Sequence, residues 1–254
     1  MRIVVKIGTS TLAHDTGRLN IRRVRSLVSV LSDLKNSGEE IILVSSGAIG
    51  MGAGKLSLPG RPADIPTKQA AAAVGQCELM YVYDKLFGEY HPTVAQILLT
   101  ADDFEDPVKH GNFLNTLRRL LELGALPIIN ENDTVATAEL GIGDNDTLSA
   151  LVAVGADADL LVLMSDIDGL YTADPHKDGE AKLIPVVESV DDGIMSLGEG
   201  SSSSLGTGGM RTKLNAAKLV TAHGTDMIIC NGASPELLYD ICDGKQVGTR
   251  FKGA

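Results

Sequence analysis

Residues 205–213 read Leu-Gly-Thr-Gly-Gly-Met-Arg-Thr-Lys, a glycine-rich turn that runs straight into a patterned helix. Met210, Leu214, Ala217 and Val220 fall on one stripe of that helix, and His223-Gly224 marks its end. Glycines let successive backbone N–H groups face one point, and the helix adds its unsatisfied first-turn donors and positive dipole end. Lys213 contributes a full charge, so the stretch is suited to an anion, a phosphate above all. The plainer alternative is that 198–209, with its run Ser201 to Ser204, forms only a low-complexity linker. That alternative leaves the Met-Arg-Thr-Lys entry into an amphipathic helix without a reason.

A second lysine has a comparable setting. Lys6 interrupts the apolar run Ile3, Val4, Val5 and Ile7 just before Gly8-Thr9-Ser10-Thr11. Burying a charge is costly unless a counter-charge meets it, although a lysine at a strand end can also extend its tip to water. Ser45-Ser46-Gly47-Ala48-Ile49-Gly50-Met51-Gly52-Ala53-Gly54 follows another apolar strand, in the position where open α/β sheets bind ligands. It is expected to be a ligand-facing loop, yet it matches neither standard phosphate fingerprint. A dinucleotide motif needs glycine where Lys55 stands, and a P-loop needs lysine where Ala53 stands.

Polar density peaks at Asn130-Glu131-Asn132-Asp133-Thr134 and at Gly141 to Thr147, where Asp144 to Thr147 open a helix. One Asp or Asn there is explained by capping; several in succession exceed what one cap can use. Ser165-Asp166-Ile167-Asp168-Gly169-Leu170 resembles a calcium loop only until Leu170, where an oxygen ligand is required. There is no G-x-S-x-G elbow, and His14, His91, His110, His176 and His223 lack metal-ligand spacing. Two lysines at anion-shaped turns, glycine-rich turns and an Asn/Asp/Ser/Thr cluster suit phosphoryl transfer without a covalent intermediate. Catalysis of that kind is mostly positioning and charge neutralisation.

The elements that position these groups alternate β with α. Buried strands are expected at Arg2 to Gly8, Ile41 to Val44, Thr93 to Leu99, Leu126 to Ile129, Leu160 to Leu163 and Met227 to Cys230. Leu183 to Val187 reads as a short strand and Val247 to Phe251 as an edge strand. Helices are expected from the Asn20 cap to Gly38, from Thr67 to about Phe87, from Gly111 to Leu123 and from Asp144 through Val154, with a short one after Ser234-Pro235. Pro59, Pro62 and Pro66 mark an irregular excursion between the second strand and the long helix.

A chain of 254 residues has ample core for this plan. Aliphatic residues carry it, since there is no Trp and only 4 Phe and 5 Tyr. The formal charge of −11 argues against nucleic acid and anionic membrane as partners, because both need a positive field. Cys77, Cys230 and Cys242 are odd in number and widely spaced, which speaks against a disulfide framework or zinc site. Met1-Arg2 leads directly into a strand with no apolar leader, and no run approaches the ~18 apolar residues of a membrane span. A cytoplasmic protein is expected.

In order along the chain, Lys6-Ile-Gly-Thr-Ser-Thr, Ser45-Ser-Gly-Ala-Ile-Gly, Asn130-Glu-Asn-Asp-Thr-Val, Gly143-Asp-Asn-Asp-Thr-Leu, Ser165-Asp-Ile-Asp-Gly-Leu-Tyr and Gly206-Thr-Gly-Gly-Met-Arg-Thr-Lys resemble the amino acid kinase family. Each block alone is weak, but six in order are specific. The Asn-Glu-Asn-Asp and Gly-Asp-Asn-Asp blocks favour its glutamate-phosphorylating branch over the aspartate, carbamate and uridylate branches. The resemblance implies one domain over 1–254, a three-layer αβα sandwich with a mainly parallel sheet of about eight strands. It implies ATP-dependent phosphorylation of the γ-carboxylate of L-glutamate, the first step of proline synthesis, with Mg2+ held mainly by the ATP phosphates.

By position, Lys6 and Lys213 would flank the transferring group and Asp146 would hold them. Ser46, Asp133 and Asn145 would bind glutamate, with Thr9 and Asn130 nearby. Lys6, Ser165, Asp166, Thr207, Gly208, Gly209, Met210, Arg211, Thr212 and Lys213 would hold the nucleotide. L-Proline as feedback inhibitor and a homo-oligomer, dimer or tetramer, are further implications. Many members carry an RNA-modification-type (PUA) domain after the kinase domain, and this chain stops at Ala254, so a form lacking that domain is expected. Two rival readings stay open at this point: a kinase of the same family acting on another acid, and a non-catalytic sensor of an amino acid or nucleotide.

Overall fold

Alternate residues of the central strands go to opposite faces of one sheet, and each face buries an apolar layer of its own. The computed structural model describes residues 1–14, 18–60, 62–136, 144–175, 177–198 and 209–254. Among them are the strands β1 (Arg2–Ile7), β2 (Glu40–Val44), β3 (Val94–Leu99), β4 (Leu126–Glu131), β5 (Leu160–Ser165), β6 (Val186–Val187), β7 (Asp226–Asn231) and β8 (Thr249–Phe251). They form one 8-stranded sheet in the order β3-β4-β2-β1-β5-β7-β8-β6. Every pairing is parallel except that of β7 with β8.

The helices are α1 (Thr9–Leu12), α2 (Ile21–Asn36), α3 (Ala48–Lys55), α4 (Ile65–Gly88), α5 (Ala101–Glu105), α6 (Pro107–Glu122), α7 (Asn145–Gly155), α8 (Asp192–Ser196), α9 (Met210–Thr221) and α10 (Leu237–Cys242). Val4, Val44, Ile129, Leu161, Leu163 and Ile229 pack with residues of α6, α7 and α9. Their strand neighbours Ile3, Val5, Leu43, Ile128, Val162 and Ile228 pack with α2, α4 and α10. This is the α/β three-layer αβα arrangement. It is also why the inner strands read as continuous apolar runs, since both faces are covered. No helix among the described residues is long and apolar enough to cross a membrane.

Helix starts follow capping chemistry. The Asn20 side chain accepts from Arg23 N–H and the Asp144 side chain from Thr147 N–H, as their positions in the sequence predict. Asp64 caps α4, so that helix begins at Ile65 rather than Thr67. Asp106 accepts from Val108 and Lys109 N–H with Pro107 in the first turn, which starts α6 ahead of Gly111. A capping box between Thr100 and Asp103 opens α5, a helix too short to leave a period in the sequence.

Three sequence expectations need correction. β8 is no edge strand: it lies between β7 and β6, with Phe251 fully buried, and is reduced to Thr249–Phe251. β6 covers only Val186–Val187, while Leu183 makes an isolated bridge to Tyr171. The larger correction concerns the stretch from Ser45 to Gly54, which is not a ligand-facing loop beyond Gly47. Gly47 takes φ +97° and α3 follows at once. A Cβ on Gly52 would stand 1.7 Å from the Ala71 carbonyl oxygen, and one on Gly75 would stand 1.8 Å from that of Ala48. The small residues here allow α3 and α4 to touch backbone to backbone.

Candidate active site

Parity in β1 decides where Lys6 goes. Lys6 shares the face of Val4, the face covered by α7 and α9, so its side chain runs toward the start of those helices. There Lys6 Nζ lies 2.7 Å from Asp146 Oδ1, and Lys213 Nζ lies 3.1 Å from Asp146 Oδ2. Asp146 is in the first turn of α7 and Lys213 in the first turn of α9, both buried. Burial alone would push the Asp146 carboxyl upward, but the two ammonium groups and the hydrogen bonds from Lys6 and Thr212 outweigh it and hold the pKa at about 2. The positive end of the α7 dipole favours the same anion. The cluster therefore carries two positive charges and one negative, a local net of +1 in a chain of charge −11.

Thr212, expected beside the nucleotide, has its hydroxyl 2.8 Å from Asp146 Oδ2 and 2.8 Å from the Gly209 carbonyl. In this structure it fastens the carboxylate. Gly209 is the N-cap of α9, a 12-residue helix, and makes no side-chain cap hydrogen bond; the positive end of the helix dipole points toward the cluster. Met210 is buried and Arg211 exposed. Thr207 and Gly208, with the Ser201 to Ser204 run, lie outside the described residues.

A second cluster stands next to the first. Asn145 Nδ2 shares its protons among the Ser45 carbonyl at 2.9 Å, Ser46 Oγ at 2.8 Å and Asn130 Oδ1 at 3.1 Å. Asn145 Oδ1 is buried with no hydrogen-bond partner, so the site holds an unused acceptor. The Thr9 methyl packs beside Gly47, 3.7 Å from where a Cβ would stand. Asp133 sits half-buried in the turn after β4, where Val135 and Ala136 N–H donate to the Asn132 carbonyl.

A third group lies at the ends of β5 and β7, adjacent strands that pair Ser165 with Asn231. Ser165 Oγ donates to Asp166 Oδ1 at 3.1 Å, and the exposed Asp168 accepts from Asn231 Nδ2 at 2.7 Å. Gly232 N–H donates to the Ser165 carbonyl at 2.7 Å. A Cβ on Gly232 would stand 2.6 Å from Thr11 Oγ1. Sequence reasoning passed over Asn231 and Gly232, which look there like the ordinary end of a strand.

It also passed over two side chains of α4. Gln76 Oε1 accepts from Asn130 Nδ2 at 3.0 Å, and the fully buried Tyr83 hydroxyl lies 2.9 Å from Ser45 Oγ. The available signal was their one-face spacing: Gln76 and Tyr83 are seven residues apart in a helix whose buried positions are otherwise apolar or small. No group of three or more His, Cys, Asp or Glu suited to a metal occurs among the described residues.

Two cations on one carboxylate, Lys213 buried and Lys6 partly exposed, beside a helix start and an amide-rich pocket, can accept a polyphosphate and an acid together. Comparisons with known proteins give the family and the fold. The model of the amino acid kinase family matches residues 1–231. A protein named "Glutamate 5-kinase" from Clostridium tetani (strain Massachusetts / E88) is 53% identical over 98% of this chain and 93% of its own length. One of the same name from Listeria innocua serovar 6a is 50% identical over 98% of this chain and 92% of that protein. A third, from Caldanaerobacter subterraneus subsp. tengcongensis, is 50% identical over 99% of this chain but only 68% of that protein. Among solved structures, the carbamate kinase from Giardia lamblia bound to AMP-PNP superposes with a TM-score of 0.71 at 16% identity, over 100% of this chain and 98% of that one. The T. acidophilum isopentenyl phosphate kinase product complex gives 0.68 at 19%, over 99% and 100%. At such identities the two structures speak for the fold alone.

Proposed function

The chain belongs to the amino acid kinase family and is a phosphotransferase, and from that premise we propose that it phosphorylates the γ-carboxylate of L-glutamate with MgATP. The observation that carries the reading is the double ion pair of Asp146 with Lys6 and Lys213. A carboxylate oxygen of glutamate forms a bond to the γ-phosphorus, the bond from that phosphorus to the bridging oxygen breaks, and ADP leaves with the electron pair. The products are γ-glutamyl phosphate and ADP.

Charge spreads over the transferring group in the transition state, and Lys6 and Lys213 supply fixed positive charge beside it. A well-placed cation contributes on the order of 10³-fold, about 4 kcal/mol. Asp146 holds both ammonium groups so that neither has to be reoriented during the reaction. The acceptor is already ionised at neutral pH, so no general base is needed. Ser46, Asn145 and Asp133 bind glutamate, with Asn130 and Thr9 nearby: Asp133 and the unused Asn145 Oδ1 suit the ammonium, and the Ser46 hydroxyl suits a carboxylate. The α9 start and Ser165-Asp166 hold the nucleotide. Mg2+ would be held mainly by the ATP phosphates and, when bound, would neutralise part of their charge.

Mixing the protein with MgATP, L-glutamate and hydroxylamine tests the proposal through ADP release and trapped γ-glutamyl hydroxamate. L-Aspartate and N-acetyl-L-glutamate serve as alternative acceptors, and a chelator arm removes Mg2+. Hydroxamate from L-glutamate alone, lost with the chelator, is expected. Product only from another acid, or none from folded protein that binds ATP, would overturn the reading. Adding L-proline to the same assay tests the feedback inhibition that the resemblance implies.

A further inference from the structure

Amide groups can point either way, and in an isolated amide the two orientations are hard to tell apart. Here backbone groups at both ends of a chain of amides remove the ambiguity. Glu131 N–H donates to Asn130 Oδ1 at 2.9 Å, so the other terminal atom of Asn130 is its NH2. That NH2 faces Gln76 at 3.0 Å, so Gln76 must present its oxygen. At the other end the Ser45 carbonyl lies 2.9 Å from the Asn145 side chain, which must present its NH2. The same NH2 reaches Asn130 Oδ1 at 3.1 Å and Ser46 Oγ at 2.8 Å. Ser46 Oγ thus accepts from within and keeps its own proton to donate elsewhere.

Gln76 is the only member of this chain that lies on α4, and its placement is built into the fold. Asn130 continues the parity of Ile128, so it faces the α4 side of the sheet. Gly75, immediately before Gln76, is where α4 touches the Ala48 carbonyl of α3. That close approach brings α4 near enough for a Gln side chain to reach the end of β4. Gln76 is itself buried, and its Nε2 has no hydrogen-bond partner. Its contribution is the acceptor oxygen alone.

We propose that Gln76 is a positioning residue for the acceptor acid: its Oε1 holds the Asn130 amide in the one orientation that engages the Asn145 NH2, so that Ser46 presents its hydroxyl proton to a substrate carboxylate and Asn145 presents its unused Oδ1 to a donor of the same acid. This rests on the proposed function, in which Ser46 and Asn145 bind the acceptor. Losing one hydrogen bond of this kind corresponds to about tenfold in binding. Met matches the size of Gln but offers no comparable acceptor.

The experiment is a double-mutant cycle of Gln76→Met with Asn130→Ala, read by steady-state kinetics in acceptor and in ATP. Gln76→Met is expected to raise the KM for the acceptor about tenfold while the KM for ATP stays within about twofold. In the Asn130→Ala background the same substitution is expected to add less than about twofold, because the amide that Gln76 orients is gone. Effects that multiply independently, or an unchanged acceptor KM, would overturn the inference. If Gln76→Met does not fold, Gln76→Glu is used: it keeps an acceptor oxygen and should stay within about threefold of wild type, and a tenfold loss there would also overturn it. The acceptor screen on the wild-type enzyme tests the proposed substrate separately, and the cycle applies to whichever acid it identifies.

Discussion

Lys6 Nζ and Asp146 Oδ1 meet at 2.7 Å, although one ends the first strand and the other begins a helix more than half the chain away. The contact joins the sheet to the α7–α9 layer at the point where Lys213 arrives from the other side. A carboxylate shared by two lysines makes each of them sensitive to the loss of the others.

Lys213→Met removes one positive charge and keeps much of the side-chain volume. In the proposed mechanism kcat falls by at least about 10²-fold with the fold retained. ADP release measured beside a circular dichroism spectrum checks this; near-normal turnover would remove Lys213 from the mechanism.

In the proposed function Asp133 binds the acceptor acid. Asp133→Ala is expected to raise the KM for L-glutamate by about tenfold or more, with a smaller effect on that for ATP. A change confined to ATP would move Asp133 to the other half of the site.

Asp146 links the site to acid stability. Its folded pKa, about 2, is below the ordinary 3.8, so the folded state binds the proton less readily than the unfolded state. The stabilisation, about 2 kcal/mol, is fully present above pH 3.8 and is lost as pH falls toward 2. Urea unfolding of wild type and Asp146→Asn should show a stability difference that shrinks by at least about 1 kcal/mol from pH 5 to pH 2.5. A pH-independent difference would mean that the ion pairs do not depress this pKa.

Two Gly→Ala substitutions should act in opposite directions. In Gly52→Ala the new Cβ would meet the Ala71 carbonyl at 1.7 Å, and destabilisation of about 3 kcal/mol or more is expected from forcing α3 off α4. Gly111, inside α6, has nothing within 4 Å of a Cβ, and Gly111→Ala should stabilise by about 0.5–1 kcal/mol through helix propensity. Thermal unfolding of both variants decides. Equal effects would mean that contact between α3 and α4 is not what requires glycine.

Much of this molecule was legible in one dimension. β1, β2, β4, β5 and β7 announce themselves as apolar runs because a parallel sheet covered on both faces leaves no polar side to its strands. Asn20 and Asp144 mark helix starts because a cap is satisfied within three residues. Lys6, Asp146 and Lys213 stood out because a charge or polar cluster at the end of an apolar run has no local use.

What the sequence left open were the contacts between segments far apart in the chain. A glycine needed for positive φ and one needed for close approach look alike until the partner is in place, so Gly52 read as part of a loop when it lies under Ala71. A strand's neighbours depend on the whole sheet, so β8 read as an edge although β6 closes over it. Gln76 and Tyr83 carry no local signature, because a polar side chain on a helix acquires its meaning from the strand end it faces. By itself the sequence determined which charged and polar residues, Lys6, Asp146 and Lys213 among them, were available to a candidate site, since chemistry depends on residue type. Only the tertiary structure decided its wiring, since hydrogen bonds depend on distances of about 3 Å that chain order does not record.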